Sequence, residues 1–422
     1  MVEMPMDRSL LQELFSHAVA VAQPERAVRD HLPPPPKGRT IVVGAGKASA
    51  QMARAFEEAW PGPLTGLVVT RYGYACQCER IEIVEAAHPV PDEAGYLAAR
   101  RLMEMVSGLG PDDLVVALIS GGGSSLLPAP APGLTLADEQ AVNKALLASG
   151  APIGVMNLIR NQFSTIKGGR LATRAAPARV ATLVVSDVPG DDPAVVASGP
   201  TIALGQPREL ARKYAGLYGI DLPPAAAELL VGEDNLAPLP TDPRLAGNSV
   251  ATIASAAISL AAAADLARER GIEAAVLSDA VEGESREVAR VHAAIAREVA
   301  TRNRPFEKPV VLLSGGETTV TLRGKGRGGR NAEFLLSLAI AIDGFEGVTA
   351  LAADTDGIDG SEDNAGAFVD GTSAQRMRRA GIDPLAALAG NDAYTAFAAI
   401  GDLLVTGPTG TNVNDFRAIV VR

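Results

Sequence analysis

The chain has 422 residues, 47% of them hydrophobic and 21% charged, and a formal net charge of -11. That length exceeds one ordinary core and predicts two domains, while the acidic balance argues against a nucleic-acid partner. Cys76 and Cys78 are too few and too close for a disulfide framework, and with only four histidines they do not complete a zinc site. Such cysteine usage fits a reducing compartment. Glu3 and Asp7 argue against a signal peptide, and no apolar run approaches the roughly 20 residues of a membrane span. A cytoplasmic protein without a membrane partner is expected.

Leu10, Leu11, Leu14, Phe15, Ala18 and Val19 have helical spacing and predict an amphipathic helix over 8–22. Prolines 33–36 form a stiff connector. Strands and helices then alternate: strand 40–43, helix 48–60, strands 67–70 and 81–86, helix 93–107, strand 114–119, a helical region 155–174 and strand 180–185. Alternation of this kind predicts an α/β fold with a mostly parallel, doubly wound sheet. The proline- and acid-rich stretch 219–244 breaks the pattern and puts the domain boundary at 235/236. Beyond it come a strand near Leu245, helix 250–269, strand 273–278, helix 285–301 and strand 309–313. Residues 115–125 echo residues 310–319, each an apolar strand running into Ser-Gly-Gly and hydroxyl side chains. Two similar α/β domains, 1–235 and 236–422, facing a shared cleft are therefore expected.

Five segments carry candidate chemistry. Gly44-Ala45-Gly46-Lys47-Ala48-Ser49 leads from strand to helix and approaches a dinucleotide fingerprint. Its third glycine is replaced by Ser49, and the next strand ends in Arg71 rather than an acid. It is not a P-loop either, because Ile41 and Ala48 occupy required positions. What remains is a tight turn presenting Lys47 to an anion or a transferring phosphoryl group. Ser120-Gly121-Gly122-Gly123-Ser124-Ser125 permits close backbone approach and an anion nest. Ser186-Asp187-Val188-Pro189-Gly190-Asp191-Asp192 brings three carboxylates to a strand end, suited to magnesium or to proton transfer, with an Asx turn as the plain account of Asp192. Glu317, Asp354, Asp356 and Asp359 form an acidic set in the second half. Lys325, Arg327 and Arg330 punctuate the glycine run 324–330, which reads as a mobile positive loop before a helix capped by Asn331, a place for phosphate or carboxylate. His88, before proline, reads as structural, with a pKa that would allow catalysis.

Taken in order, these pieces resemble the class II glycerate kinases, whose C-terminal region is the MOFRL domain. The matching segments also include His88-Pro89-Val90-Pro91, Ser198-Gly199-Pro200-Thr201, Ser314-Gly315-Gly316-Glu317, Gly328-Gly329-Arg330-Asn331 and the run from Thr406 to Asp415. The resemblance covers nearly the whole chain. It implies phosphorylation of D-glycerate to 2-phosphoglycerate with ATP and Mg2+, and two Rossmann-like doubly wound domains with an active site between them. Lys47 and Arg330 stand where the family has its key cations, and Asp187 or Asp191 where it has a catalytic acid. Asp187, Asp191, Glu317 and Asp354 are the candidate magnesium ligands. Gly44, Gly46, residues 120–125, Ser314, Gly315, Gly316, Lys325 and Asn331 are candidates for substrate or nucleotide binding. One departure is Arg71-Tyr72-Gly73-Tyr74, where the family often carries His after Gly. Members have also been called hydroxypyruvate reductases; the incomplete fingerprint at Ser49 argues against hydride transfer. A sensor of sugar acids or nucleotides on the same fold is a third reading. A monomer or homodimer is expected.

Overall fold

The computed structural model describes residues 6–205, 207–232 and 236–422. Glu3 and Asn235, where the boundary was expected, lie outside these residues. The chain forms two compact bodies. One comprises residues 24–186 and 192–253; the other gathers residues up to 23, 187–191 and 254–422. The bodies thus do not follow a single cut in the chain: the first helix belongs with the C-terminal half, and residues 236–253 belong with the N-terminal half.

The first body is built on β1 (Thr40–Ala45), β2 (Thr65–Arg71), β3 (Ile81–Ala86), β4 (Leu114–Ser120), β5 (Arg179–Val185) and β6 (Ser249–Ala254), in the order β3-β2-β1-β4-β5-β6. The pairs from β3 through to β5 are parallel. β1 and β4 are buried along their whole length, the mark of strands covered on both faces. The strand expected near Leu245 is a short 3-10 turn, Pro243–Leu245; the strand itself is β6, and it joins the first sheet. The helical region expected at 155–174 is two helices, Ile153–Gln162 and Arg170–Ala175. Val142, Leu146, Leu158, Phe163, Ala211 and Leu230 make a separate helical core.

The second body holds β7 (Glu273–Ser278), β8 (Val310–Gly316), β9 (Val348–Asp354), β10 (Gly366–Asp370), β11 (Leu403–Leu404) and β12 (Asp415–Val421), ordered β11-β10-β9-β12-β8-β7. Only β7 and β8 pair in parallel; the other four neighbouring pairs are antiparallel. This corrects the expectation of a second mostly parallel sheet. The reason is local: residues 355–365 join β9 to β10 without a helix, and a parallel return needs a long crossover. Side chains alternate across this sheet. Val311, Leu313, Leu351, Phe416, Ala418 and Val420 pack with Leu10, Leu14 and Leu260. Leu312, Ala350, Ala352, Ile419 and Val421 pack with Phe334, Leu338 and Val299 on the other face.

Candidate active site

In the first body the glycine turns meet at the C-terminal ends of β1 and β4. Gly46 has φ +146°, and a Cβ there would run into Ser120. The main-chain N–H of Lys47 donates to the carbonyl of Gly121 at 2.8 Å, and that of Ala48 to Ser120 Oγ at 3.0 Å. Ser49 Oγ and Ser120 Oγ share a hydrogen bond at 3.0 Å, so the residue replacing the third glycine is locked inside the turn. Gly44 lies against the Leu118 carbonyl, and Gly123 against Ala45 and Ala197, with no room for a side chain at either. Gly122 is left-handed at φ +81°, and it packs beside His88 Nε2 and the stem of Lys47. Ser125 Oγ donates to the Gly122 carbonyl at 3.1 Å, and Ser124 Oγ bonds Ser198 Oγ at 2.7 Å.

His88 is therefore part of the turn, which its sequence setting did not reveal. Burial, then Lys47 and Arg71, push its pKa down to about 4. Burial and this positive surrounding favour the neutral imidazole. Arg71 ends β2 and lies 3.6 Å from the centroid of the Tyr74 ring. Ser198, joined to both Ser124 and Asn157, is a further member; the sequence marked it only as the start of the segment Ser198-Gly199-Pro200-Thr201 and gave it no site role, and its left-handed backbone at φ +60° lies in the conformation rather than in the composition.

In the second body the acids gather around Arg330. Its Nε donates to Asp415 Oδ1 at 2.6 Å, Nη1 to Glu317 Oε1 at 2.8 Å and Nη2 to Asp354 Oδ2 at 2.7 Å. Arg330 was expected as a free cation for an anion; instead three carboxylates engage it. Asp415 also accepts from Arg417, from Asn331 Nδ2 at 2.8 Å and from the Thr318 main chain, which makes it the hub of the cluster. Burial holds the Asp354 carboxyl well above the usual range; Arg330 pulls it back, and Asp356 and Asp415 raise it further. Among the described residues no group of three or more His, Cys, Asp or Glu side chains is placed to hold a metal ion.

Two further expectations change. The loop 324–330 is tied down, not loose. Arg323 and Gly324 N–H groups donate to Asn391 Oδ1, Gly326 N–H to the Gly390 carbonyl, and Arg327 N–H to Asp392 Oδ1. Gly324 and Gly326 are glycine because the backbone of 390–392 lies where a Cβ would be. Arg327 pairs with Glu362 and stacks on Tyr394, while Lys325 is exposed. The cap of the helix Arg330–Ala341 is Gly329, not Asn331. Asn331 is buried one residue inside, and its main-chain N–H and that of Ala332 donate to the Asp359 carboxylate. The place expected to take a substrate anion is filled by an anion of the protein.

Ser314, Gly315 and Gly316 also serve the interior. Ser314 Oγ bonds His292 Nε2 at 2.9 Å, the Gly315 carbonyl accepts from the Val281 N–H at 3.0 Å, and Gly316 has φ +113° against the Val281 backbone. Asp187 is half-buried, and its carbonyl accepts from Asn414 Nδ2 at 2.7 Å, next to Asp415 in the chain. Asp191 is half-buried at φ +52°. Asp192 Oδ1 accepts from the Ala194 N–H, an Asx turn.

Two family models match the chain: residues 10–231 fit a domain of unknown function (DUF4147) and residues 310–415 fit the MOFRL family. The chain belongs to the glycerate kinase family that combines these two regions. A protein of Agrobacterium vitis with the provisional name hydroxypyruvate reductase is 55% identical over 98% of this chain and 94% of its own. The D-glycerate 2-kinase of Thermotoga maritima is 41% identical over 97% of each. The crystal structure of a glycerate kinase from the same organism superposes with a TM-score of 0.91, at 39% identity, covering 99% of this chain and 100% of that one.

Proposed function

We propose that the chain is a D-glycerate 2-kinase, transferring the γ-phosphoryl group of ATP to the 2-hydroxyl of D-glycerate. The observation that carries the choice over a reductase is the pairing of Ser49 with Ser120 at the end of β1, together with Arg71 at the end of β2. A nicotinamide-dependent enzyme of this topology needs glycine at the first place and an acid at the second, to hold the ribose. A buried hydroxyl and a guanidinium stand there instead. The strand order of the first body goes with a Rossmann-like, doubly wound class.

Phosphoryl transfer is mainly positioning and charge neutralisation. Lys47, presented by the turn and flanked by Arg71 and neutral His88, is assigned to the glycerate carboxylate or to the γ-phosphoryl oxygens. Gly44, Gly46 and Gly123 let β1, β4 and the turn after them pack closely, and Gly121 and Gly122 are assigned the close backbone approach to those groups. Asp187 is assigned as acceptor of the hydroxyl proton, with Asp191 holding the turn that orients it. Arg330 is assigned to hold Asp354, Asp415 and Glu317 in place. Glu317, Asp354 and Asp415 do not fit a protein-built metal cage, because a guanidinium already stands among them, and among the described residues Asp187 and Asp191 are not joined by a third ligand. Mg2+ therefore enters this reading as the counter-ion of ATP, and a cytoplasmic setting goes with it.

The test is direct. The purified chain is incubated with D-glycerate, ATP and Mg2+, and separately with hydroxypyruvate and NADH or NADPH. Formation of ADP and a 2-phosphoglycerate resonance in the phosphorus NMR spectrum is expected. Oxidation of the nicotinamide without ADP formation would replace the kinase with the reductase.

A further inference from the structure

Arg160, on the helix Ile153–Gln162, is tied to the glycine turns of the first body by a short chain of hydrogen bonds. Ser124 Oγ bonds Ser198 Oγ at 2.7 Å, Ser198 Oγ donates to Asn157 Oδ1 at 3.1 Å, and Arg160 Nη1 donates to the same oxygen at 2.6 Å. Asn157 Nδ2 donates to the Val195 carbonyl at 3.3 Å, which fixes the amide with its oxygen toward the two donors. From the other side Arg160 Nε donates to Asn143 Oδ1 at 2.8 Å. Both partners of the guanidinium are thus neutral amide oxygens. Among the described residues no carboxylate pairs with Arg160, and its Nη2 has no partner. Burial pushes the Arg160 pKa below the ordinary arginine value, and Glu139 pulls it back. Glu139 already bonds buried Lys167 Nζ at 2.8 Å, so two cations share one carboxylate. A half-buried guanidinium held in place without an acid of its own is costly, and an anion from outside would relieve that cost.

We propose that Arg160 binds the carboxylate of D-glycerate and leaves Lys47 to the transferring phosphoryl group. The proposal rests on the kinase reading and divides the two anionic groups that this reading brings to the first body. With Nε on Asn143 and one Nη1 proton on Asn157, the end of the fork formed by Nη1 and Nη2 is the part left over. That end matches the two coplanar oxygens of a carboxylate, two N–H bonds at a time. Lys47 offers a compact charge on a flexible stem, suited to phosphoryl oxygens that move during transfer. Ser198 and Asn157 are positioning residues in this scheme: they hold the Arg160 guanidinium in register with the turn at Ser124.

D-Glycerate and its uncharged amide, D-glyceramide, are the probes, titrated calorimetrically into the full chain. A coupled ADP assay gives KM for D-glycerate and for ATP separately. The wild type should prefer the acid to the amide. In Arg160→Gln the affinity for D-glycerate should fall roughly tenfold or more, as for lost charge-assisted bonds, with the amide and the KM for ATP little changed. The preference should survive in Lys47→Ala. Circular dichroism and the unfolding midpoint verify folding. Arg160→Lys keeps the charge without the fork, should show a smaller loss, and carries the test where Arg160→Gln does not fold. A preference kept in Arg160→Gln and lost in Lys47→Ala would give the carboxylate to Lys47 and overturn the proposal. A raised KM for ATP alone would move Arg160 to the phosphates and overturn it too, as would wild-type affinity for D-glycerate in the Arg160 variants or no preference in the wild type. Absence of ADP formation in the wild type would sink the kinase reading instead, and the calorimetric comparison would still decide what Arg160 binds.

Discussion

Asp359 closes the helix that Asn331 helps to open: its carboxylate accepts from the Asn331 N–H at 2.9 Å and the Ala332 N–H at 2.8 Å. A negative group at a helix N-terminus satisfies donors that the helix cannot. Asp359→Ala should therefore lower stability by about 1–3 kcal/mol, through the lost cap and the buried N–H groups left behind. Urea unfolding followed by circular dichroism measures it; an unchanged midpoint would mean that the cap contributes nothing.

The same carboxyl predicts a pH effect. Burial raises its pKa to about 6, against an ordinary 3.8. The folded state then holds the proton more firmly than the unfolded state, so this group's contribution to stability falls as pH rises from about 4 to about 6. His88 acts in the opposite sense. Its pKa of about 4 lies below the ordinary 6.5, so its contribution is lost as pH falls through that window. Asp359→Asn should steepen the loss of stability on acidification, and His88→Gln should flatten it. Unfolding midpoints at intervals between pH 4.5 and 7 separate the two.

Lys47→Ala should lower kcat by roughly two orders of magnitude while leaving the unfolding midpoint alone, as for loss of a preorganised charge contact. A coupled ADP assay with D-glycerate reads the first and thermal unfolding the second. Wild-type turnover in this variant would remove Lys47 from the chemistry.

Arg330→Met should behave differently. It strands Asp354 as a buried, unpaired carboxyl and leaves Asp415 with Arg417 as its ion-pair partner; breaking a buried pair in this way costs roughly 3–5 kcal/mol. Stability and turnover should fall together. Arg330→Lys keeps the charge but cannot donate to three carboxylates in one plane, and should recover part of the loss. Full stability with lost turnover would return Arg330 to the role of a substrate cation.

Gly324→Ala and Gly326→Ala decide between a loose loop and a packed one. In a loose loop each would stabilise by about 0.4–1 kcal/mol by restricting the unfolded chain. Against the Gly390 and Asp392 backbone each should destabilise, by roughly 1–3 kcal/mol. The sign of the shift in melting temperature is the readout.

Much of both bodies was legible at the level of single elements, because those signals are local. β3 at Ile81–Ala86 and β7 at Glu273–Ser278 coincide with their expected ranges, since short apolar runs bounded by turn residues define themselves. Gly46 and Lys47 could be read from a strand running into a glycine turn. Pairing over long distances could not. Nothing in residues 415–421 says that they enter a sheet antiparallel to β8 and β9. Asp359 caps a helix that begins 29 residues earlier, and a cap from outside the helix leaves no pattern at the helix itself. The glycines of 324–329 misled for a related reason: composition reveals freedom of the backbone, not whether another segment fills the space.

β12 lies between β8 and β9, at the middle of the second sheet. On the ribosome this body stays open at its centre until residues 415–421 have emerged, while the first body has all its strands once β6 is made. The two therefore mature on different schedules. A nonsense codon or nick a few residues before Asp415 would leave a well-folded first body joined to a half-sheet with two exposed edges, a species prone to aggregate and to be degraded.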